Sequence, residues 1–148
     1  MKTTIVGLDE FTGDLKRMSA VVRTKTVVDA LEAGAVVIQA YGQDNIRTQL
    51  NKNPTGFLAN SLTIKKLEKA VHVGVFGVVY AKIHEYGGVI RARGKYLTFI
   101  GSDGKRVFTK SVTIPARPYM RPAVDGHLAE IKEAIADALR GLLKKAVS

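Results

Sequence analysis

Three prolines, Pro115, Pro118 and Pro122, stand within the nine residues from Ile114 to Pro122. Proline fixes its own φ angle and lacks a backbone N–H, so this spacing excludes a helix interior and a central strand. Each proline also pushes the residue before it toward extended geometry. The segment therefore predicts a stiff extended strut, and the helical pattern that follows places Pro122 at the first helical position.

The predicted strut carries side chains that are common at protein–protein contacts. Two arginines, a tyrosine and a methionine occur in it, namely Arg117, Tyr119, Met120 and Arg121. Residues of these types on a stiff backbone favour a docking surface over a catalytic pocket. The alternative is a surface connector that only sets the direction of the last helix. The sequence leaves both interpretations open.

The length and composition set the class of protein. A chain of 148 residues predicts one domain over residues 1–148, and 46% hydrophobic residues are enough for a core. With 7% aromatic residues and no Trp, that core must be largely aliphatic. Cysteine is absent, which excludes disulfides and thiol catalysis and fits a reducing cytoplasm. No apolar run approaches the length of a membrane span or a signal peptide, so we expect a soluble protein with no membrane partner.

The net charge of +10 is concentrated in one segment. Residues 91–121 hold eight basic residues and one acidic residue, whereas residues 122–148 hold four of each. The basic residues of the segment are Arg91, Arg93, Lys95, Lys105, Arg106, Lys110, Arg117 and Arg121. Such a patch indicates a polyanion or an acidic partner surface.

The hydrophobic periodicity predicts an α+β fold. Apolar residues at helical spacing predict a short helix near residues 8–18 and a longer one over 26–41. Near alternation over 62–75 predicts strands. A stripe from Val124 through Leu128 to Leu142 predicts a long final helix. The expected architecture is an antiparallel sheet of about four strands, packed against two N-terminal helices and a long C-terminal helix.

Two shorter patterns complete this prediction. Residues 80–86 predict a single helical turn that Gly87 and Gly88 end. Residues 96–100 and 106–114 predict two strands joined by a turn at Ser102-Asp103-Gly104, so residues 88–110 form a basic β-hairpin or flexible loop.

The sequence offers little for catalysis. His72, His84 and His127 do not stand at metal-binding spacings, and position 88, where a zinc-protease motif starting at His84 needs its second histidine, is Gly88. No Gly-x-Ser-x-Gly nucleophile turn occurs, and the glycines at 101 and 104 fit a hairpin tip better than a phosphate loop. We therefore expect no enzyme activity, no cofactor, no metal and no small-molecule substrate.

Nucleic-acid binding is the rival interpretation. The basic hairpin interleaves Tyr96, Phe99 and Phe108 with charge, so it could enter a groove or stack on unpaired bases. The same aromatics could instead be core residues of the sheet, and this is the interpretation that we favour. Attraction to DNA phosphates needs only the charge. A standalone DNA-binding protein without sequence specificity is therefore the alternative function.

Four segments in order, followed by a final helix, carry a family resemblance. They are Gly7 to Phe11, Pro54 to Leu62, Tyr80 to Gly88 and Ile114 to Ala123. The chain resembles the tail-component (neck or tail-completion) proteins of tailed bacteriophages and is similar to the virion-morphogenesis proteins of Mu-like phages. Residues 91–110 lie outside the resemblance.

The resemblance implies a non-catalytic structural protein of the phage virion, located in the neck or tail after assembly in the host cytoplasm. Such proteins form rings at the head–tail junction or the tail end, for which a hexamer is one option, acting in tail completion or as tail terminators. The expected partners are other copies of the chain, neighbouring neck or tail proteins and, without specificity, the passing DNA.

The same resemblance suggests roles for particular residues. The interface with a neighbouring subunit or partner would be formed by Arg117, Tyr119, Met120, Arg121 and Glu85. Within it, Glu85 would pair with a nearby arginine. The basic hairpin would face an acidic partner ring or the DNA lumen through Arg91, Arg93, Lys95, Lys105, Arg106 and Lys110.

Overall fold

The computed structural model describes residues 20–49, 56–101 and 103–147. The helices are α1 (Ala20–Gln49), α2 (Phe57–Asn60), α3 (Ala81–Tyr86), α4 (Met120–Asp125) and α5 (Leu128–Val147). The strands are β1 (Leu62–Lys66), β2 (Val71–Val75), β3 (Gly88–Arg91), β4 (Leu97–Ile100), β5 (Arg106–Thr109) and β6 (Ser111–Ile114). The predicted mixture of helices and strands is confirmed, and the helix predicted at 8–18 lies outside the described residues.

Helix α1 contains the predicted helix but extends well beyond it. It has 30 residues, which gives a length of about 45 Å. The predicted helix ended at residue 41, whereas Gly42 lies inside α1. A Cβ atom at position 42 would approach Leu62 Cδ2 to 2.7 Å. Gly42 is therefore a point of close packing, where the fully buried Leu62 rests on the helix.

The C-terminal helix α5 packs along α1. Gly34 of α1 makes this approach close, because a Cβ atom there would lie 2.7 Å from Ile135 Cδ1. The predicted final helix is interrupted at Gly126 and His127, which separate α4 from α5. Ile131 is buried as expected, but Leu128 is 47% exposed, so its assignment to the buried stripe was wrong. The break before α5 turns this first residue of the helix outward.

The predicted sheet of about four strands is replaced by three two-stranded antiparallel ribbons in the part of the chain that the structure describes. Strand β1 pairs with β2, β3 with β6, and β4 with β5. The predicted hairpin strand 106–114 is divided at Lys110, so its two halves take different partners. Its second half pairs with β3, a strand that the sequence patterns did not indicate.

One cluster of core residues lies near the C-terminal end of α1. Six buried residues from three helices, one strand and the strut form one cluster: Ile46, Leu58, Ala59, Leu62, Ala81 and Tyr119. It is mainly aliphatic, as the composition predicted, and Tyr119 is its one aromatic member. The strut thus supplies part of the core, which fixes its position in the fold.

Candidate functional site

The proline strut, residues 114–122, is held between α3 and the end of α1. The Arg117 N–H donates to the His84 carbonyl over 2.7 Å. From α1, the Asn45 side-chain amide donates to the Tyr119 carbonyl over 3.0 Å, and the Gln49 amide donates to the Pro118 carbonyl over 3.1 Å. The strut is thus hydrogen-bonded to α3 through its backbone N–H and to α1 through two of its carbonyl groups.

Glu85 of α3 caps the N-terminus of α4. Its Oε2 accepts the N–H groups of Tyr119 and Met120 over 2.7 and 2.9 Å, and its Oε1 accepts that of Arg121 over 3.1 Å. The first four N–H groups of a helix lack partners within the helix. Here one carboxylate binds three of them, and the fourth position is Pro122, which has no N–H. The helix has no acidic residue of its own in its first turn, so the negative charge comes from α3.

A glycine allows α3 and the strut to approach so closely. Gly87 follows α3 with φ 69°, a left-handed conformation that favours glycine. A Cβ atom at this position would lie 2.7 Å from the Ala116 nitrogen. The predicted stop after Tyr86 is confirmed, and the same glycine makes room for the strut.

The side chains of Tyr119 and Glu85 are buried. They are 4% and 9% exposed, and the Tyr119 hydroxyl donates to the Ala81 carbonyl over 3.4 Å. Burial, and then the charge of Glu85, raises the pKa of Tyr119 to about 12. Glu85 binds the backbone N–H of Arg121 rather than a guanidinium group. A role of either side chain in binding another subunit therefore stays a prediction, and each already has a structural role.

The accessible part of the strut surface centres on Arg121. Its guanidinium lies 5.9 Å from the ring centroid of Tyr86, which is 62% exposed. Arg117 is half-buried near His84, and the pKa of His84 is lowered by burial and by the charge of Arg117. Met120 packs partly against the core. Arg121 and Tyr86 together form an exposed cationic and aromatic patch suited to protein contacts.

Residues 88–114 form a second surface, which we call the cationic arm. It consists of the β3–β6 and β4–β5 ribbons and the segments between them. All six predicted basic residues of this region are exposed: Arg91, Arg93, Lys95, Lys105, Arg106 and Lys110. At its tip the Gly101 N–H donates to the Lys105 carbonyl over 2.8 Å, which closes the predicted turn.

The arm also exposes large apolar side chains. Phe108 is 61% exposed and Ile100 is 63% exposed. Others that are exposed along the arm are Val89, Ile90, Tyr96 and Phe99. The expectation that Tyr96, Phe99 and Phe108 belong to a buried sheet core was therefore wrong. Each ribbon makes its most extensive contacts between its own two strands.

The described residues do not form a recognisable metal site. They contain no group of three or more His, Asp or Glu side chains that could hold a metal ion. Within the same part of the chain, no helix is both long and apolar enough to pass through a bilayer. The strut patch and the arm expose cationic, aromatic and apolar side chains together. Surfaces of this composition are typical of an interaction protein.

Comparison with known proteins agrees with this class. The model of the phage virion morphogenesis family matches residues 38–144, and the chain belongs to that family. It is therefore a virion-associated phage protein of a structural rather than an enzymatic family. The search of curated proteins and that of solved structures each gave no match. The resemblance drawn from the sequence segments is confirmed at the level of the family.

The cap made by Glu85 was missed by the sequence reasoning. A signal for it existed: the first turn of α4 has a proline and no carboxylate, so its donors require an acceptor from elsewhere. That Glu85 is this acceptor depends on contacts across more than 30 positions. Such a pairing cannot be inferred from local spacing.

Proposed function

We propose that this chain is a ring-forming subunit at the head–tail junction or tail end of a tailed phage, acting in tail completion or as a tail terminator. The observation that carries the proposal is the match to the phage virion morphogenesis family over residues 38–144. That span contains the capped strut and the whole cationic arm.

The division of the molecule into a packed body and an exposed arm supports this role. Helices α1 and α5 form an extended contact, and the core cluster fixes the strut at one end of α1. A ring subunit needs a rigid body to set the angle between copies and surfaces that join them. In a ring each copy repeats the same charges, so the exposed bases of the arm would form a strongly cationic collar.

The proposed partners are other copies of the chain and the adjoining neck or tail proteins. The strut patch of Arg121 and Tyr86, with Arg117 and Met120 beside it, is a second contact surface. Because the strut is bound on both sides, it would keep its shape on docking, which lowers the entropy cost of association.

A nonsense mutation in the phage gene for this chain tests the proposed function. Without the chain, electron micrographs of lysates should show heads and tails that are unjoined or tails with abnormal ends, and infectivity should be lost. Addition of the purified wild-type chain to the lysate should restore joined, infectious particles. A phage with silent changes in the same codons is the control.

Normal particles and full infectivity in the absence of the chain would contradict the proposal. So would purified wild-type particles in which mass spectrometry finds no copy of this chain.

A further inference from the structure

We propose that the cationic arm of one copy docks on the acidic segment of a second copy that runs from the end of α4 to the middle of α5, residues 125–137. This inference rests on the proposed ring-forming function and names the surfaces that join the copies. Because the two surfaces differ, the contact is head-to-tail, the type that generates rings when the rotation closes.

The arm is incomplete as an isolated structure. Each of its four strands has one partner strand, and no other element of the described chain makes an extended contact with it. A lone two-stranded ribbon is only marginally stable in water, and its open edges favour pairing or packing with another chain. The arm therefore gains order from a partner.

The apolar side chains of the arm identify that partner as protein. Phosphate binding by DNA would require only the basic residues, whereas Ile100 and Phe108 would stay in water. Exposed apolar groups that cluster among charges are typical of protein–protein contacts. DNA is therefore the less favoured occupant.

The strand register places apolar and basic groups on the same side of the β4–β5 ribbon. Ile100 lies opposite Arg106, and Thr98 lies opposite Phe108. Directly opposed residues of an antiparallel pair share a side, and so do residues two apart on one strand. This side thus presents Ile100, Phe108 and Arg106 together, with Lys105 adjacent to them at the tip.

A complementary surface exists on the same chain. Residues 125–137 hold four acidic residues and one basic residue, a balance of −3, against +5 for residues 88–114. The acidic residues, all exposed, are Asp125, Glu130, Glu133 and Asp137. Glu130 also accepts a hydrogen bond from Tyr41, and Asp137 pairs with Arg140, so Asp125 and Glu133 are the best placed for a partner.

A charge exchange in the full-length chain tests the proposed contact. Sedimentation velocity over a range of concentrations at low salt measures self-association of four proteins: the wild type, K105E/R106E, D125K/E133K and the variant with all four changes. Each double variant should weaken association at least about tenfold, because like charges then face each other. The fourfold variant should return to within about threefold of the wild type, since the attraction is restored with its signs exchanged.

Matched controls separate this pairing from the effect of net charge. The variants R47E/K69E and D44K/E68K make the same charge changes at exposed positions outside both surfaces. They should associate like the wild type. Thermal melts of every variant establish that each is folded.

Three results would overturn the inference: a wild-type chain that stays monomeric throughout the range, a fourfold variant that does not recover, or controls that weaken association equally. Loss of duplex DNA binding in K105E/R106E with unchanged self-association would assign the arm to DNA instead. If the chain is present in virions and required for joining while the exchange fails, the proposed function stands and only this contact is wrong.

Discussion

At the scale of single residues, the side chain of Glu85 makes the contacts on which the shape of the strut most depends. Its carboxylate satisfies three backbone N–H groups at the start of α4, and Pro122 removes the need for a fourth acceptor. A buried donor without an acceptor costs far more than an average hydrogen bond contributes. The shape of the strut therefore depends on one side chain that comes from a different helix.

Replacement of Glu85 by Gln should destabilise the fold by about 1–3 kcal/mol, because the amide group offers one acceptor oxygen where the carboxylate offers two. Urea denaturation monitored by circular dichroism measures the change. The exposed Glu68→Gln is the matched control and should stay within about 0.5 kcal/mol of the wild type. Equal stabilities of the two variants would contradict the capping role.

The raised pKa of Tyr119 predicts a loss of stability in alkali. Burial holds the pKa at about 12 in the folded protein, against 10.0 when exposed, so the folded state retains its proton more strongly than the unfolded chain. This contribution is present below pH 10 and is lost as the pH rises from 10 to about 12. In Tyr119→Phe the free energy of unfolding should fall less steeply over that window. If the free energy of unfolding falls equally with pH in the two proteins, Tyr119 is not the group responsible for the loss of stability.

At the scale of elements, small residues decide how closely the helices and strands pack. Gly34 lets α5 approach α1, and Gly42 lets Leu62 rest on the same helix. In both places a helix-disfavouring residue is kept because a side chain would separate two elements. The two glycines thus lower the intrinsic stability of α1 as a helix but allow it to pack closely against its neighbours.

Two leucine substitutions separate helix propensity from packing. Gly34→Leu should destabilise the protein by about 1–3 kcal/mol or more, because the side chain would overlap Ile135. Gly141→Leu places the same residue in α5 where nothing lies within 4 Å, and it should stabilise by up to about 1 kcal/mol. Thermal unfolding of both variants checks this. A Gly34→Leu protein as stable as Gly141→Leu would show that the close contact between α1 and α5 is absent.

At the scale of the whole molecule, the packed body and the exposed arm differ in how far their apolar side chains are buried. Leu62 is fully buried in the core cluster, whereas Phe108 has most of its surface in water. The body accounts for folding, and we propose that the arm makes the contacts with partners.

This separation predicts very different effects of two truncations. Leu62→Ala should cost about 2–5 kcal/mol, because it removes buried methyl groups and leaves a cavity. Phe108→Ala should change the free energy of unfolding by no more than about 0.5 kcal/mol. Denaturant titrations of the isolated chain measure both. Comparable losses would mean that the arm is part of the folded core.

The sequence predicted the features that depend on local pattern. The helical periodicity located α1 and α5, and the Ser102-Asp103-Gly104 turn located the hairpin of β4 and β5. Features set by distant contacts were missed: the pairing of β3 with β6, the position of Gly42 inside a helix and the cap at Glu85. Leu128 follows the apolar spacing yet is exposed, since periodicity cannot show where a helix is interrupted.

For the site, the sequence predicted the exposed bases of the arm, because charged residues seldom lie in a core. It could not predict that Phe99, Ile100 and Phe108 are exposed as well, because apolar alternation is the usual mark of a buried strand. Tyr119 and Glu85 were predicted to be interface residues, but both are buried. Their burial depends on the packing of α1, α3 and the strut, which local sequence patterns do not specify.

The most direct test of the account is an electron cryomicroscopy reconstruction of the purified phage particle that carries this chain. The account predicts a closed ring of copies at the head–tail junction or tail end, with the arm of each copy against α4 and α5 of its neighbour. A ring in which the arms contact only DNA or solvent would contradict the proposed contact, and a particle without density for the chain would contradict the function.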